Sequence, residues 1–236
     1  MKLDILAFGA HPDDVELGCG GTLAKHAALG YKIGIVDLTP SQLSTRGTVE
    51  NRAIEAENAA KALGITVREN LGMQDGFFEN NHENKMKLVE VIRKYQPEII
   101  FATAPDDRHP DHGRASQMVK EANFLAGLHK IETPGLEPWR AKSVYYYIQF
   151  KHFEPDFLVD ITGFVEQKME SLKAYASQFY DANSTEPQTV IASKEFMELI
   201  NGRHAVFGAM GMSKNAEGFI SEFKIVADNL FDLHHG

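Results

Sequence analysis

Two short segments of the chain concentrate histidine and aspartate: residues 10–14 read AHPDD and residues 106–112 read DDRHPDH. Zinc accepts imidazole and carboxylate ligands, and a catalytic zinc site uses three protein ligands together with water. His11 and Asp14 are three residues apart, so a tight turn can direct both side chains at one point. His112 can complete the set from the second segment. We therefore predict a zinc site formed by His11, Asp14 and His112, and the same ligands also suit ferrous iron.

The other polar residues of these segments provide groups that hydrolysis requires. Zinc lowers the pKa of a bound water to about 7 and polarises a carbonyl group. Asp13 is next to a predicted ligand but directed elsewhere, which makes it a candidate general base for that water. His109 can supply an imidazolium that stabilises an oxyanion and protonates the leaving nitrogen, and Asp111 can orient that ring and raise its pKa. These residue types fit hydrolysis of an amide or an ester.

Each segment also has a simpler explanation. Aspartate is favoured at helix N-caps, so AHPDD alone, or the DHG run at 111–113 alone, can be no more than a cap. Two such clusters, each after a predicted strand, favour a shared metal site. Gly18, Gly20 and Gly21 offer a dinucleotide-binding loop as another interpretation, but their spacing is not G-x-G-x-x-G and they come too late after the first strand. We interpret them as positions of close helix packing.

The segments that must position these residues alternate between strand and helix patterns. Helical periodicity predicts six helices, and apolar or alternating runs predict six strands. The helices are expected at 15–29, 50–63, 82–95, 113–128, 163–177 and 193–207, and the strands at 3–8, 31–38, 66–71, 97–103, 143–149 and 157–161. The Gly-rich segment 205–219 is predicted to be a loop. This alternation predicts an α/β fold, a Rossmann-like, mostly parallel sheet with helices on both faces. Ligands bind such sheets beyond the carboxyl ends of the strands, where both segments fall.

Composition limits the class of protein. The 236 residues suit a single domain spanning 1–236, because no linker-like segment divides them. A net charge of −9 disfavours nucleic acid as a partner. The single cysteine, Cys19, excludes an intrachain disulfide and fits a reducing compartment. Asp4 interrupts the apolar N-terminus and no apolar run approaches a membrane span, so we predict a cytoplasmic protein without a membrane partner.

The pair AHPDD and HPDH resembles the LmbE-like, or PIG-L, family of N-acetylglucosaminide deacetylases, and the resemblance spans most of the chain. Within that family, three stretches are most similar to the branch that acts in bacillithiol biosynthesis. They read ILAFGAHPDDVELGCGGT, LTPSQLSTRGTVENRAIEAENAAKALGI and HAVFGAMGMSKNAEGF. The resemblance implies an LmbE-like fold and a zinc enzyme that removes acetyl from a glucosamine nitrogen. In this branch the substrate is N-acetylglucosaminyl malate, and the products are glucosaminyl malate and acetate.

The resemblance implies the same roles for the two segments, with His11, Asp14 and His112 as ligands, Asp13 as general base, His109 at the oxyanion and Asp111 as its partner. Substrate contacts are expected from arginines, because a guanidinium fork suits carboxylates. The candidates are Arg52 and Arg108, then Arg46, with Gln149 as a polar candidate past a strand end. Alternatively, Arg52 lies on a solvated helix face. By analogy with the family, a homo-oligomer is expected, with a hexamer as the first expectation.

Four other interpretations remain open from the sequence. Related branches act on other N-acetylglucosamine conjugates, on diacetylchitobiose, or on amide conjugates of thiols. In a different class, the chain is a non-catalytic sugar- or nucleotide-binding α/β protein. The remaining histidines have no partner at ligand spacing, so His234 and His235 among them are expected at the surface, and His204 alone is placed where it can face the site.

Overall fold

The predicted alternation of strands and helices is present in the structure, a computed structural model that describes residues 1–229 and residue 231. The strands are β1 Ile5–Gly9, β2 Ile33–Asp37, β3 Val67–Asn70, β4 Ile99–Thr103, β5 Ser143–Tyr147, β6 Phe157–Asp160 and β7 Ala216–Ser221. The helices are α1 Asp14–Ala28, α2 Val49–Leu63, α3 His82–Tyr95, α4 Pro110–Ala126, α5 Val165–Lys173 and α6 Lys194–Met210, with a 3-10 turn at Thr162–Phe164. His234 and His235 lie outside the described residues.

The described strands form one sheet in the order β3-β2-β1-β4-β5-β7-β6. Strands β1 to β5 pair in parallel, and β7 is antiparallel to both of its neighbours. The fold class expected from the sequence is therefore confirmed. The chain runs from β1 toward one edge and from β4 toward the other, so β1 and β4 lie at the point where the strand order reverses. The loops that follow them diverge and leave a crevice there.

The sheet is covered on both faces because successive side chains of a strand point in opposite directions. In β1, Leu6 and Phe8 pack into the cluster formed with α3 and α4. Ile5 and Ala7 pack into the opposite cluster, under α1. Helices α2 and α5 pack beside α1 on that second face. Among the described residues, no helix has the length and apolar character needed to cross a membrane.

The segment 205–219 differs from its prediction as a loop. It contributes the last turns of α6 and the start of β7, and only residues 211–215 connect them. Its glycines are there for close packing: a Cβ on Gly208 would lie 2.7 Å from the backbone nitrogen of Asn215, and one on Gly218 would lie 2.9 Å from Cε2 of Phe207. The high glycine content, typical of loops, here reflects a helix packed tightly on a strand.

Helix α1 carries the first histidine–aspartate segment at its start and is interrupted at Cys19, whose φ of −143° is not helical. A buried ion pair supports the interruption. The Glu217 carboxylate accepts hydrogen bonds from the backbone N–H groups of Gly21 and Thr22, at 3.0 and 2.7 Å. Lys168 donates to Glu217 at 2.6 Å and to the Leu17 carbonyl at 2.8 Å. These contacts satisfy backbone groups that the interrupted helix leaves without partners.

The packing of α1 on the sheet predicts that Gly18→Ala destabilises the fold. A Cβ at Gly18 would lie 2.0 Å from Cδ2 of the buried Tyr147, and overpacking of this kind costs about 1–3 kcal/mol. Gly20→Ala is the matched control, since its Cβ would meet Lys168 Cγ at an ordinary 3.4 Å. Urea unfolding should show a lower midpoint for the Gly18 variant and an unchanged or higher one for the Gly20 variant. Equal midpoints would contradict this packing.

Candidate metal centre

The AHPDD segment forms the turn between β1 and α1. The Asp13 backbone has φ 107°, a left-handed conformation that is strained for an aspartate. The turn is closed by hydrogen bonds from the Asp14 N–H to the His11 carbonyl, 3.3 Å, and from the Leu17 N–H to the Asp13 carbonyl, 2.9 Å. Strain that is retained in a well-bonded turn points to a functional requirement for the side-chain directions it produces.

The Asp14 carboxylate lies between the two predicted histidine ligands. Its Oδ2 accepts the backbone N–H of His11 at 2.8 Å and is 3.4 Å from His11 Nδ1. Its Oδ1 is 3.1 Å from His112 Nε2 and accepts a hydrogen bond from Gln149 at 2.7 Å. Burial opposes the charge, but His112 and His11 outweigh it and hold the pKa of Asp14 well below its usual range. The structure thus brings the three predicted ligands together.

His112 is held from its other side by Asp107, a residue to which the sequence assigned no role. Its Nδ1 is 2.9 Å from Asp107 Oδ2, and Thr103 at the end of β4 donates to its carbonyl at 2.7 Å. A carboxylate at Nδ1 favours a proton on that nitrogen, so Nε2, on the Asp14 side, is the nitrogen that a metal would use. Burial lowers the pKa of His112, but Asp14 and Asp107 raise it to about 9.

His11 also has carboxylates on its far side. Its Nε2 is 2.9 Å from Asp75 Oδ1 and 3.4 Å from Asp111 Oδ2. Burial opposes the charged ring, yet its hydrogen bonds to Asp111, Asp14 and Asp75 raise the pKa of His11 well above its usual value. Asp75 was missed by the sequence analysis. The available signal was its place a few residues after β3, at the same sheet edge as the other loops.

His109 contacts the backbone of Asp111 and not its carboxylate, which the sequence predicted as the partner of the ring. His109 caps α4, and its Nδ1 accepts the backbone N–H of Asp111 at 3.2 Å. The Asp111 carboxylate instead accepts the Gly76 N–H at 2.8 Å and pairs with Arg114 at 2.7 Å. Burial, together with the charges of the neighbouring His11 and His112 rings, lowers the pKa of His109. Asp111 raises this pKa, as the sequence predicted, but does not outweigh them. The carboxylate that was expected to support His109 faces His11.

Asp13 faces an arginine of α2. Its Oδ2 lies 3.3 Å from Arg52 Nη1. Burial raises the pKa of Asp13 to about 7, although Arg52 opposes the shift. Arg52 is only 5% exposed, so the interpretation that it lies on a solvated helix face is wrong. Asp13 Oδ2 and Arg52 Nη1 are both buried without a hydrogen-bond partner among the described residues.

A cavity of about 330 Å³ opens onto these residues. Its walls include the histidines, Asp13 and Arg52, together with Arg108, Gln149 and the loop residues Ser41, Ser44, Thr45, Gln178 and Thr189. The Arg108 guanidinium lies 4.6 Å from the centre of the Phe150 ring. The Gln149 side-chain NH₂ donates to the predicted ligand Asp14, while its Oε1 has no hydrogen-bond partner in the described chain.

Arg46 and His204 are placed away from the cavity lining that the structure describes. Arg46 is buried behind the wall, where its Nη2 donates to Ser184 Oγ at 2.6 Å. Its carbonyl accepts the side chains of Ser44 and Gln178 at 3.0 and 2.8 Å. Arg46 therefore supports the wall rather than lining it, which corrects its assignment as a substrate contact. His204 lines a small separate cavity beside Lys168.

The donor set fits a divalent transition metal. Ring nitrogens of His11, His109 and His112 lie within 4.8 Å of one another, and Asp14 contacts two of these rings. Imidazole and carboxylate ligands of this kind suit zinc or ferrous iron. Two ligand sets are therefore possible, one with Asp14 and one with His109.

Comparison with known proteins identifies the family. The model of the family described as PIG-L, GlcNAc-PI de-N-acetylase, matches residues 6–123, which contain both histidine–aspartate segments. The chain belongs to this family. The PIG-L assignment agrees with the resemblance seen in the two segments.

The relatives of this PIG-L family chain include proteins named for different activities. The conserved protein TT1542 of Thermus thermophilus is 36% identical with a TM-score of 0.87, over 95% of this chain and 97% of that one. A diacetylchitobiose deacetylase of Thermococcus kodakarensis is 29% identical over 189 residues, 74% of this chain and 70% of the relative. A 4-oxalmesaconate hydratase of Pseudomonas putida is 26% identical over 95% of this chain and 91% of the relative.

Substitution of the candidate ligands distinguishes the two sets. We expect the wild-type chain to bind about one zinc ion, and His11→Ala, Asp14→Ala and His112→Ala to lose it because each removes one of three ligands. His109→Ala should keep the metal, since His109 Nδ1 already accepts a backbone N–H. Metal analysis after dialysis measures the content, and circular dichroism checks folding. Retention of zinc by the Asp14 variant and loss by the His109 variant would assign the three-histidine set.

Proposed function

We propose that this PIG-L family protein is a metal-dependent deacetylase that releases acetate from the acetamido group of an N-acetylglucosamine conjugate. The observation that carries the proposal is the convergence of Asp13, His109 and the metal-binding residues on one cavity at the β1–β4 crevice. A pocket of a few hundred Å³ with a few convergent polar groups is typical of a small-molecule site. Deacetylases among the relatives support the reaction class.

In this proposal His11, Asp14 and His112 hold zinc, which when bound supplies a lowered water pKa and a polarised carbonyl. Asp13 accepts a proton from the attacking water, and the Arg52 guanidinium, 3.3 Å away, offsets the charge of the carboxylate. The water oxygen bonds to the amide carbon, the carbon–nitrogen bond breaks, and the proton passes to the leaving nitrogen. The products are acetate and a free amine.

His109 can stabilise the oxygen that becomes negative during the attack. Its Nδ1 accepts a backbone N–H, so the proton of the neutral ring is on Nε2. A neutral donor matches the lowered pKa of this histidine. Hydrogen bonds aimed at a developing oxyanion are worth about 3–4 kcal/mol in hydrolases. This role needs no carboxylate partner for His109, in agreement with the position of Asp111.

The specific substrate that we propose is N-acetylglucosaminyl malate. Arg108 lies on the cavity wall, and Arg52 lies deeper and has donor atoms without partners in the described residues. Guanidinium groups bind carboxylates through paired hydrogen bonds, and malate carries two carboxylates. The similarity of three stretches to the bacillithiol branch supports the same substrate. The acidic chain as a whole does not exclude an anionic ligand, because such a ligand needs only a few local arginines.

The hydratase relative gives a second candidate. It is similar over nearly the whole of both chains, so the same scaffold serves a reaction that adds water to an unsaturated acid. A water-activating aspartate and arginines for carboxylates suit that reaction as well. Turnover of the acetamido substrate and turnover of 4-oxalmesaconate should therefore both be measured on the same protein.

Two further expectations about the protein stay predictions. We infer a cytoplasmic location from the single cysteine and the acidic, globular composition. We also infer a homo-oligomer, with a hexamer as the first expectation, from the family resemblance. Fractionation of the source cells and light scattering of the purified protein measure them directly.

Asp13→Asn is expected to lower acetate release by about 10²–10⁴-fold, because the amide cannot accept the proton of water. Bound zinc and the circular dichroism spectrum should stay unchanged, since the substitution keeps the size of the side chain. Asp106→Asn is the control, because Asp106 is exposed and pairs with Lys151. Wild-type turnover in the Asp13 variant would show that another group acts as the base.

Arg108→Ala is expected to lower kcat/KM for the malate conjugate by about 10–100-fold, the effect of one lost charged hydrogen bond. Turnover of N-acetylglucosamine without an acidic group should change little. Arg140→Ala is a matched control: its guanidinium also lies over a phenylalanine, 4.4 Å from the Phe124 ring, but outside the cavity lining. Equal losses on both substrates would remove the case for carboxylate recognition, and turnover of 4-oxalmesaconate alone would favour the hydratase.

A further inference from the structure

The two nitrogens of His11 face two different groups of carboxylates. Nδ1 is 3.4 Å from Asp14 Oδ2, on the side of the proposed metal. Nε2 is 2.9 Å from Asp75 Oδ1 and 3.4 Å from Asp111 Oδ2, on the opposite side. A histidine ligates a metal through one nitrogen, and the hydrogen bond at the other decides which tautomer is present.

We propose that Asp75 is a positioning residue that fixes the His11 proton on Nε2, so that the Nδ1 lone pair is directed toward Asp14 and the metal. This inference rests on the ligand role of His11 in the proposed function. Asp75 is nearer to Nε2 than Asp111 is, and its carboxylate is buried. A hydrogen bond in such surroundings orients the ring more strongly than one in water.

Asp111 acts as the secondary partner because other groups already use its carboxylate. Arg114 Nη1 donates to its Oδ1 at 2.7 Å, and the Gly76 N–H donates to its Oδ2 at 2.8 Å. These donors offset part of the negative charge that Asp75 and Asp111 bring together beside His11. One proton on His11 Nε2 is then enough to satisfy the acceptor oxygen of Asp75.

Asp75 also connects His11 to the wall of the cavity. While Oδ1 contacts His11, Oδ2 accepts the backbone N–H of Leu43 at 2.9 Å. Leu43 belongs to the loop after β2, which contributes Ser41, Ser44 and Thr45 to the cavity. The same carboxylate therefore sets the orientation of a metal ligand and the position of a substrate-facing loop.

The geometry allows one alternative that the experiment must separate. His11 Nε2, Asp75 and Asp111 offer three ligand atoms within 4.8 Å of one another. Such a group can hold a second cation in place of a proton. The number of zinc ions bound per chain distinguishes a positioning hydrogen bond from a second metal site.

Asp75→Asn tests the proposal. Both oxygens of Asp75 accept hydrogen bonds, whereas an asparagine has one acceptor and one NH₂ group, so one contact becomes donor against donor. We expect zinc affinity to fall about 10–100-fold, the usual effect of losing such a partner. Competition with a chromophoric chelator measures the affinity. Asp106→Asn, on an exposed aspartate, should leave it unchanged.

The histidine tautomer gives a readout that a general loss of structure would not produce. In the zinc-loaded wild type, ¹⁵N shifts of His11 should show the proton on Nε2 and zinc at Nδ1. In zinc-loaded Asp75→Asn we expect this pattern to be lost or mixed, while circular dichroism stays unchanged. Unchanged affinity with the Nε2 proton retained would overturn the proposal. Loss of one of two zinc ions would overturn it in favour of a second metal site.

Acetate release, measured on the same samples, separates this inference from the proposed function. If the zinc-loaded wild type releases no acetate from N-acetylglucosamine conjugates, the proposed reaction is wrong, while the affinity ratio still decides the role of Asp75. If the wild type binds no zinc, both the ligand set and the positioning role are wrong.

Discussion

The arrangement of the site depends on the buried carboxylate of Asp14. A buried charge is stable only when its oxygens are paired, and the partners of Asp14 come from three parts of the chain. They are the backbone and ring of His11 after β1, the ring of His112 in α4, and the Gln149 amide after β5. Because β1, β4 and β5 are adjacent in the sheet, these partners meet at one edge. The pairing of one carboxylate thus links the strand order to the chemistry of the site.

The rings of His11 and His112 each lie between the Asp14 carboxylate and a second carboxylate on the opposite side. Asp107 stands behind His112, and Asp75 with Asp111 stands behind His11. His109 is the exception, because its Nδ1 accepts a backbone N–H. The difference separates two kinds of histidine. Rings with a carboxylate behind them are suited to hold a cation, and the ring without one is suited to donate a hydrogen bond as a neutral group.

The position of α1 is fixed by contacts beyond its first turn. Gly18 allows the helix to rest on Tyr147, and the Lys168–Glu217 pair satisfies the backbone where the helix is interrupted. Buried ion pairs contribute little net stability, because desolvation offsets most of the attraction. Their value here is geometric, since they hold the helix that begins at Asp14. The strained backbone of Asp13 is held between this rigid helix and β1.

The sequence by itself determined most of the elements and the sheet edge where the candidate site lies. Apolar periodicity is a local property, so α3 was predicted with the same limits as observed, and the candidate ligands were found in two dense segments at strand ends. Only the tertiary structure decided the partners. Asp75 contacts a histidine 64 residues away, Arg52 faces the cavity while Arg46 lies behind its wall, and Asp111 turns to His11 rather than to His109. The physical reason is that a hydrogen-bond partner depends on strand order and loop path. Neither of these is encoded in the local spacing of residues. The Gly-rich segment 205–219 is a similar case, because its glycines serve the packing of a helix on a strand, which local composition does not reveal.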